Sequence, residues 1–298
     1  MTTLTARTQN MRPQALGAGL LAGSQAALPP FTLYRPRSAR EAIQIHRAEP
    51  DATLLAGAID LVGQIRRGFT PASVIALSGV GAWRDVEDNG DVLRLGALTT
   101  HHSGPLDPVL RRRLPNLAVA WASIATVRIR ARATLGGNLM ARQPRYETSL
   151  MMSALDAELE FTGLDGEFRS TPAALWSDEP RVTGLLHHVR VPMSGLLLFD
   201  YERTLRPLLT LALSVRSGAD GLRVTASVGS EYHPPVTVRA EADAGTLAGL
   251  DAERVAHELA GQLPESIGDY AASAAYRRRV SAVLLHRKLA AAGRKEVR

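Results

Sequence analysis

Apolar residues along the chain alternate between short buried runs and helix-spaced positions, separated by turn residues. Structure is expected to begin at Phe31, after a stretch ending in Pro29-Pro30. Ser38 followed by Glu41 forms a capping box and predicts a short helix through Ala42, Ile43 and Ile45. Thr53-Leu54-Leu55-Ala56 reads as a strand running into Gly57, and Leu61, Val62 and Ile65 mark one face of a helix that stops at Gly68. Val74 to Leu77 is a second buried strand, so helix, strand, helix and strand follow in order, as in an α/β layer. Asn89-Gly90 predicts a hairpin turn, with a strand from Val92 to Gly96. Helices are expected over Pro108–Arg113, Pro115–Ala122 and Thr148–Leu155, with a glycine-bearing loop at Thr134-Leu135-Gly136-Gly137-Asn138. A hairpin around Asp165-Gly166 and a strand from Leu185 to Val191 complete this part. Beyond Leu196 the texture changes to strands over 196–201, 209–215 and 222–228, then helices over 252–263 and 271–291. These elements give an α+β chain in which residues 1–30 form a flexible tail and a boundary falls near residue 195.

The remaining composition narrows the function classes. The net charge of +6 is spread along the chain, and aromatics are only 5%, which argues against a nucleic-acid binder. The dense basic run Arg277, Arg278, Arg279, Arg287, Lys288, Arg294, Lys295 and Arg298 reads as solvated helix face. With no cysteine, the chain itself can hold neither a disulfide nor a cysteine-ligated cluster. No run of about 20 apolar residues is present to span a membrane. The Ala15–Ala27 stretch reads as a disordered extension rather than an export signal, and the lack of cysteine fits a reducing compartment; the expected location is the cytoplasm.

No nucleophile, P-loop or HExxH pattern is present, so no catalytic acid, base or metal ligand is assigned. His101-His102 and His187-His188 read as loop or strand-surface pairs, because strand neighbours point to opposite faces. Asp156 and Glu158 read as caps. Two turns have the make-up of anion sites. Ala56-Gly57-Ala58-Ile59-Asp60 lies between a strand and a helix, where open amides and the helix dipole attract an anion; strand–Gly–helix turns also arise for purely conformational reasons. Thr134-Leu135-Gly136-Gly137-Asn138 is either a nest for a diphosphate or a tight turn requiring positive φ.

At these turns the sequence resembles the medium, flavin-carrying subunit of the xanthine dehydrogenase and carbon monoxide dehydrogenase family, the molybdenum hydroxylases. The resemblance extends from about Phe31 to Ala291. Leu54-Leu55-Ala56-Gly57-Ala58-Ile59-Asp60-Leu61 falls on a loop usually written LAGGTDL. Ile124 to Leu139 falls on IASPQIRNRATIGGNL, and Leu93 to His101 matches the strand and turn between them. Leu155-Asp156-Ala157 and Ala274 to Arg278 also agree. The resemblance implies a PCMH-type FAD-binding domain over residues 31–195, made of two α/β subdomains at about 31–85 and 86–195. A smaller C-terminal domain of sheet plus helices would follow over 196–298.

The resemblance also implies FAD held in extended form, with its diphosphate between Ala56, Gly57, Ala58, Ile59 and Asp60 on one side and Thr134, Gly136, Gly137 and Asn138 on the other. Glu147 would lie near the ribose or adenine, and Leu186 is carried over as a further cofactor-binding position. Partners would be a small subunit with iron–sulfur clusters and a large subunit with the molybdopterin cofactor, electrons leaving through FAD to an external acceptor. The chain departs from the pattern at Ala58 and Ile59, where the family has glycine and threonine, at Ala141, Gln143 and Glu147, and at Glu202, which aligns with a lysine near the isoalloxazine with Arg203 beside it. A second reading is a flavin-free descendant in which Ala58 and Ile59 line a more apolar cleft for another ligand, with Arg142, Tyr146 and Glu147 as its polar groups. A third is a non-catalytic scaffold within a larger complex.

Overall fold

The computed structural model describes residues 4–5, 29–177, 181–204 and 208–296. The remainder of the expected tail, and Arg298 of the basic run, lie outside the described residues.

The first sheet is built from β1 (Leu4–Thr5), β2 (Thr32–Tyr34), β3 (Thr53–Leu55) and β4 (Ser73–Ala76) in the order β1-β2-β4-β3. β2, β4 and β3 run parallel, whereas Leu4 and Thr5 pair antiparallel with Leu33 and Thr32. Helix α1 (Ala39–Ala48) follows β2, and Ser38 caps it by accepting from the Glu41 amide at 3.2 Å. Helix α2 (Ile59–Arg66) follows β3 and ends before Gly68, whose φ of 108° only glycine adopts freely. Ala42, Ile45, Ile75, Val80 and Trp83 fill the core between α1 and the sheet.

The second sheet is antiparallel, in the order β5 (Val86–Asp88), β6 (Val92–Gly96), β9 (Leu185–Pro192), β7 (Glu158–Thr162), β8 (Glu167–Ser170). Gly90 turns the β5–β6 hairpin at a φ of 73°. Between β6 and β7 the chain forms α3 (Pro108–Arg113), α4 (Pro115–Ala122), α5 (Val127–Arg130), α6 (Leu135–Met140) and α7 (Thr148–Ala154). Each of α3 and α4 begins on a proline, which is tolerated there because a first-turn amide has no intrahelical acceptor. Leu93, Leu95, Leu117, Trp121, Leu139, Met151, Leu159 and Val189 are buried between these helices and the sheet.

The third sheet is an antiparallel meander of β10 (Leu196–Arg203), β11 (Thr210–Gly218), β12 (Gly221–Gly229) and β13 (Val236–Ala242), covered by α8 (Ala252–Gly261) and α9 (Ala274–Glu296). Its core of Leu211, Leu213, Val224, Val255, Leu259 and Leu285 packs the helices on the sheet. The other face meets α7. Ser214 Oγ donates to Ala154 O at 2.5 Å, Arg216 Nη2 donates to Leu155 O at 2.9 Å, and Phe199 and Ala212 join the core of the preceding sheet. Asp156, held at a φ of 53°, receives Arg239 at 2.7 Å and lies within 4.0 Å of Arg216 and Arg223. It is therefore a charged tie between β12–β13 and the end of α7 rather than a cap. Glu158 likewise pairs across strands with Arg190 at 2.7 Å.

The C-terminal basic run is only partly solvated. Arg277 is fully buried, donates to the carbonyls of Leu208 and Ile267, and pairs with Asp269 at 2.8 Å. Arg278 pairs with Glu265, and Lys288 lies 2.9 Å from Glu202 and 3.1 Å from Asp200. These arginines and this lysine clamp α9 to the loop before it and to β10.

Candidate cofactor site

The first sheet and the helical layer of the second meet along a cavity of about 460 Å³. All of Ala56, Gly57, Ala58, Ile59, Asp60, Thr134, Gly136, Gly137, Asn138, Glu147 and Leu186 line it. Residues separated by up to 130 positions are thus brought to one wall-to-wall space. Its remaining surface includes Leu54, Leu98, His101, Ile124, Ala125, Ile129, Met140, Arg145, Tyr146 and Arg203.

The two turns touch directly. A Cβ placed on Gly57 would lie 2.1 Å from Arg132 O and 3.0 Å from Ala133 Cα, so only a residue without a side chain allows this approach. Gly57 leads into α2, where Ala58 is the N-cap residue in a left-handed conformation (φ 69°, ψ 0°) and no side chain caps the helix. Val62 is the first amide to bond back into the helix, to Ala58 O at 3.3 Å. The amides of Ile59, Asp60 and Leu61 therefore form an open helix end, with the positive pole of the α2 dipole at the cavity. This is the arrangement that holds a phosphate.

The second turn works differently from the nest its glycines suggested. It is the first turn of α6, and its amides are already engaged. Leu135 N donates to Thr99 O at 2.9 Å, Gly136 N to Ala97 O at 2.8 Å, and Gly137 N to the capping Thr134 Oγ1 at 3.1 Å. Gly136 is required for close packing, since a Cβ there would meet Ala97 Cβ at 2.8 Å. Gly137 exposes bare backbone beside Ala56, and the Thr134 hydroxyl keeps its own proton to donate. Asn138 Oδ1 accepts from the Thr148 hydroxyl, which leaves the Asn138 amide nitrogen as the donor group at the cavity. An anion here would be held chiefly by α2, with side-chain groups of α6 opposite.

Two polar pairs cross the cavity wall. Tyr146 donates to Asp60 Oδ1 at 2.7 Å, and burial, followed by this carboxylate, raises the phenol above its ordinary range. Glu147 is buried and accepts from Arg203 Nη1 at 3.0 and 3.3 Å, and Arg203 Nη2 reaches Ser123 O at 3.5 Å. Arg203 faces the cavity, whereas Glu202, one residue back on β10, points away to Lys288. The acid at position 202 is thus not presented to the cavity. A second cavity of about 320 Å³ adjoins the first through Arg145, Tyr146, Glu147 and Arg203, and ends at Ser230 and Glu231.

His101, His187 and His188 are buried rather than surface residues, whereas His102 is exposed as expected. His187 and His188 are 8% and 5% exposed, and their Nδ1 atoms lie 2.9 Å apart. The β-bulge in the pairing of β7 with β9, between Glu160 and Phe161, breaks strict alternation and brings the neighbouring rings together. With Glu160 they make the one group among the described residues spaced to hold a metal ion. That carboxylate is already engaged by Arg94 at 2.8 Å, with Arg190 at 3.5 Å and Arg169 at 3.6 Å, and such a field opposes a cation. His101 is 1% exposed, and burial, followed by the Arg130 guanidinium, holds it down to about 4.

The chain has relatives among known proteins. Residues 29–194, more than half of the chain, match the model of the FAD binding domain in molybdopterin dehydrogenase. The chain belongs to this family. Along most of its length it is similar to the carbon monoxide dehydrogenase medium chain of Afipia carboxidovorans, with 28% identity over 86% of this chain and 94% of that one. It is also similar to the corresponding chain of Hydrogenophaga pseudoflava, with 29% identity; that match covers 49% of this chain and spans about half of the relative, 51%. Quinoline 2-oxidoreductase of Pseudomonas putida 86 shares the fold, with a TM-score of 0.74 at 22% identity over 91% of this chain and 99% of that one. The fold class is therefore the PCMH-type α+β arrangement that the motif around Thr134 implied. No helix among the described residues is long and apolar enough to cross a membrane.

The residues present fit the family's flavin nucleotide. An uncapped helix end, two turns pressed together through glycine, and a largely apolar cavity suit an extended ligand with an anionic centre. The departures from the family pattern are local. Ile59 is 36% exposed and adds apolar surface at the rim. Ala58 carries left-handed strain of roughly 1 kcal/mol. Replacing Ala58 with glycine is therefore expected to stabilise the protein by about half a kcal/mol, the strain relieved of roughly 1 kcal/mol being partly offset by an added unfolded-chain entropy of about 0.4 kcal/mol or more. Urea midpoints of the two proteins measure this, and an unchanged or lower midpoint for the variant would contradict it.

Proposed function

We propose that the chain binds FAD in this cavity and serves as the electron-transfer flavin subunit of a molybdenum hydroxylase-type dehydrogenase. One observation carries the reading: the open amino end of α2 faces the Thr134 turn across a single cavity, with Gly57 pressed onto Ala133. Bound FAD would supply reversible storage of electrons. The protein would supply placement. The amides of Ile59, Asp60 and Leu61 would hold the diphosphate, and the Thr134 hydroxyl and the Asn138 amide would complete its shell. The Glu147–Arg203 pair would orient the nucleotide or the ring at the far end. None of these groups acts as a general acid or base.

Family membership and the absence of cysteine support a division of labour in which iron–sulfur clusters and the molybdopterin cofactor reside in a small and a large partner subunit. Electrons would pass from the clusters through the flavin to an external acceptor, in a complex resident in the cytoplasm.

The test is direct. The purified protein is expected to show visible flavin absorbance that reductant bleaches, and to release FAD on denaturation. It is also expected to co-purify with an iron–sulfur chain and a molybdopterin chain from its native source. A colourless protein that ignores added FAD would overturn the reading. In that case a flavin-free descendant using the same cleft for another ligand gains ground, because the α6 amides are already engaged and the polar pairs Tyr146–Asp60 and Glu147–Arg203 are closed on themselves.

A further inference from the structure

Among the residues lining the cavity, one buried side-chain polar atom has no partner. His101 is among the residues that line the cavity, and its Nε2, itself buried, makes no hydrogen bond with any described residue. The other ring nitrogen is committed: Nδ1 lies 2.5 Å from Trp121 Nε1. An indole N–H can only donate, so Nδ1 must carry the lone pair and Nε2 the proton. The lock is rigid. Trp121 is 1% exposed and packs against Gly104, where a Cβ would lie 2.6 Å from the indole ring. The His101 amide donates to Ala133 O at 2.9 Å, which fixes the residue beside the turn that opens α6.

A buried N–H with no acceptor is costly and is retained where a ligand or an ordered water completes it. His101 is not suited to proton transfer, because its burial keeps it neutral far below the ordinary histidine range. It is suited to donating one fixed hydrogen bond. Its anchorage to Ala133 places it where Gly57 meets the Arg132–Ala133 backbone, the point at which the two turns converge. The Arg130 guanidinium adds positive potential there.

Resting on the flavin reading above, we propose that His101 is a ligand-positioning residue: a tautomer-locked Nε2–H donor held for an oxygen of the FAD diphosphate. Nothing in the sequence pattern around Leu93 to His101 assigned it this role. The acceptor is anionic and the donor neutral, so the bond is charge-assisted without requiring a titrating group.

The test uses the full chain with ¹⁵N-labelled histidine and two-bond nitrogen–proton correlation, the His101 signals being assigned by their loss in His101→Gln. The free protein is expected to show His101 neutral and protonated on Nε2. Both ADP and FAD are expected to shift the Nε2–H signal, and riboflavin, which has no phosphate, to leave it in place. His101→Phe is expected to weaken FAD binding about tenfold to a hundredfold, as loss of a hydrogen bond to a charged group does. His101→Gln, which can return an N–H to nearly the same point, is expected to bind within about threefold of the wild type. If the Phe variant does not fold, the spectra of the wild-type protein still decide.

FAD bound with the Nε2 signal unmoved, or a signal moved by riboflavin and not by ADP, would overturn the proposal and leave the flavin reading standing. A proton found on Nδ1 would overturn it as well. A wild-type protein that binds neither FAD nor ADP would take down both.

Discussion

Replacing Gly57 with alanine is expected to cost the protein its flavin. The added Cβ would sit 2.1 Å from Arg132 O, closer than any unstrained contact, and the obstacle is backbone rather than a flexible side-chain end. The Ala56–Ile59 turn would have to withdraw from Ala133, and the open end of α2 would move with it, because Ile59 is the first residue of that helix. The expected result is a loss of FAD affinity of at least about a hundredfold, equivalent to about 3 kcal/mol. Overpacking would also destabilise the fold by about 1–3 kcal/mol. Gly81→Ala is the control: an added Cβ there meets nothing within 4 Å, so affinity and stability are expected to stay at wild-type values. Flavin titration and urea unfolding of the two variants measure both effects. Equal FAD affinity for Gly57→Ala and the wild type would mean that close approach of the two turns does not hold the cofactor.

Mild acid is expected to destabilise the protein progressively above the pH at which ordinary carboxylates titrate. His101 and His188 are each held down to about 4 by burial, and burial lowers His187 and His46 too. The sign follows from linkage. Between pH 6.5 and 4 the unfolded chain takes up protons on these side chains and the native protein does not, so stability is full above pH 6.5 and falls as the pH drops through that window. His101 alone contributes a loss on the order of 3 kcal/mol by pH 4. Its protonation would also put a donor against the Trp121 N–H, leaving that group without an acceptor. The His187–His188 contact adds a loss of the same sign, because the two rings share one Nδ1···Nδ1 hydrogen bond and protonating both removes it. Against a total stability of about 5–15 kcal/mol, this is a large fraction. Glu160 and Asp269, whose ion pairs hold their carboxyls below the ordinary range, add a further loss only at lower pH. Urea midpoints followed by tryptophan fluorescence at pH 7, 6, 5 and 4.5 are the measurement, and midpoints that stay level from pH 7 to 5 would refute it.

Local signals located most elements because each has its own chemistry. The Ser38–Glu41 cap, the Asn89-Gly90 turn and the prolines opening α3 and α4 act within a few residues of where they stand. Strand β13 was passed over although Val236–Ala242 alternates apolar and polar residues, because alanine and glutamate are weak strand formers and pairing with β12 decides its state. The turn of α6 read as a loop because its glycines are poor helix formers, and only contact with Ala97 and Thr99 makes them a helix start. His101 falls in the Leu93–His101 match, but the residues carried no sign of its role, which depends on Trp121, 20 residues away. Arg203, read as the neighbour of an altered position, is the residue that faces the cavity, and Glu202 is the one turned away.

Resemblance of the Leu54–Leu61 and Ile124–Leu139 motifs to the family implied the fold and a shared cavity between the two turns, whereas glycine spacing taken by itself left each turn open between an anion site and a plain conformational turn. The partition of work between the turns was settled only in three dimensions. Both are helix starts at one cavity, yet α2 keeps its first amides open and α6 gives its own to Ala97, Thr99 and Thr134. Whether a donor is free or engaged depends on acceptors brought from distant parts of the chain, and no spacing of residues within one segment encodes that.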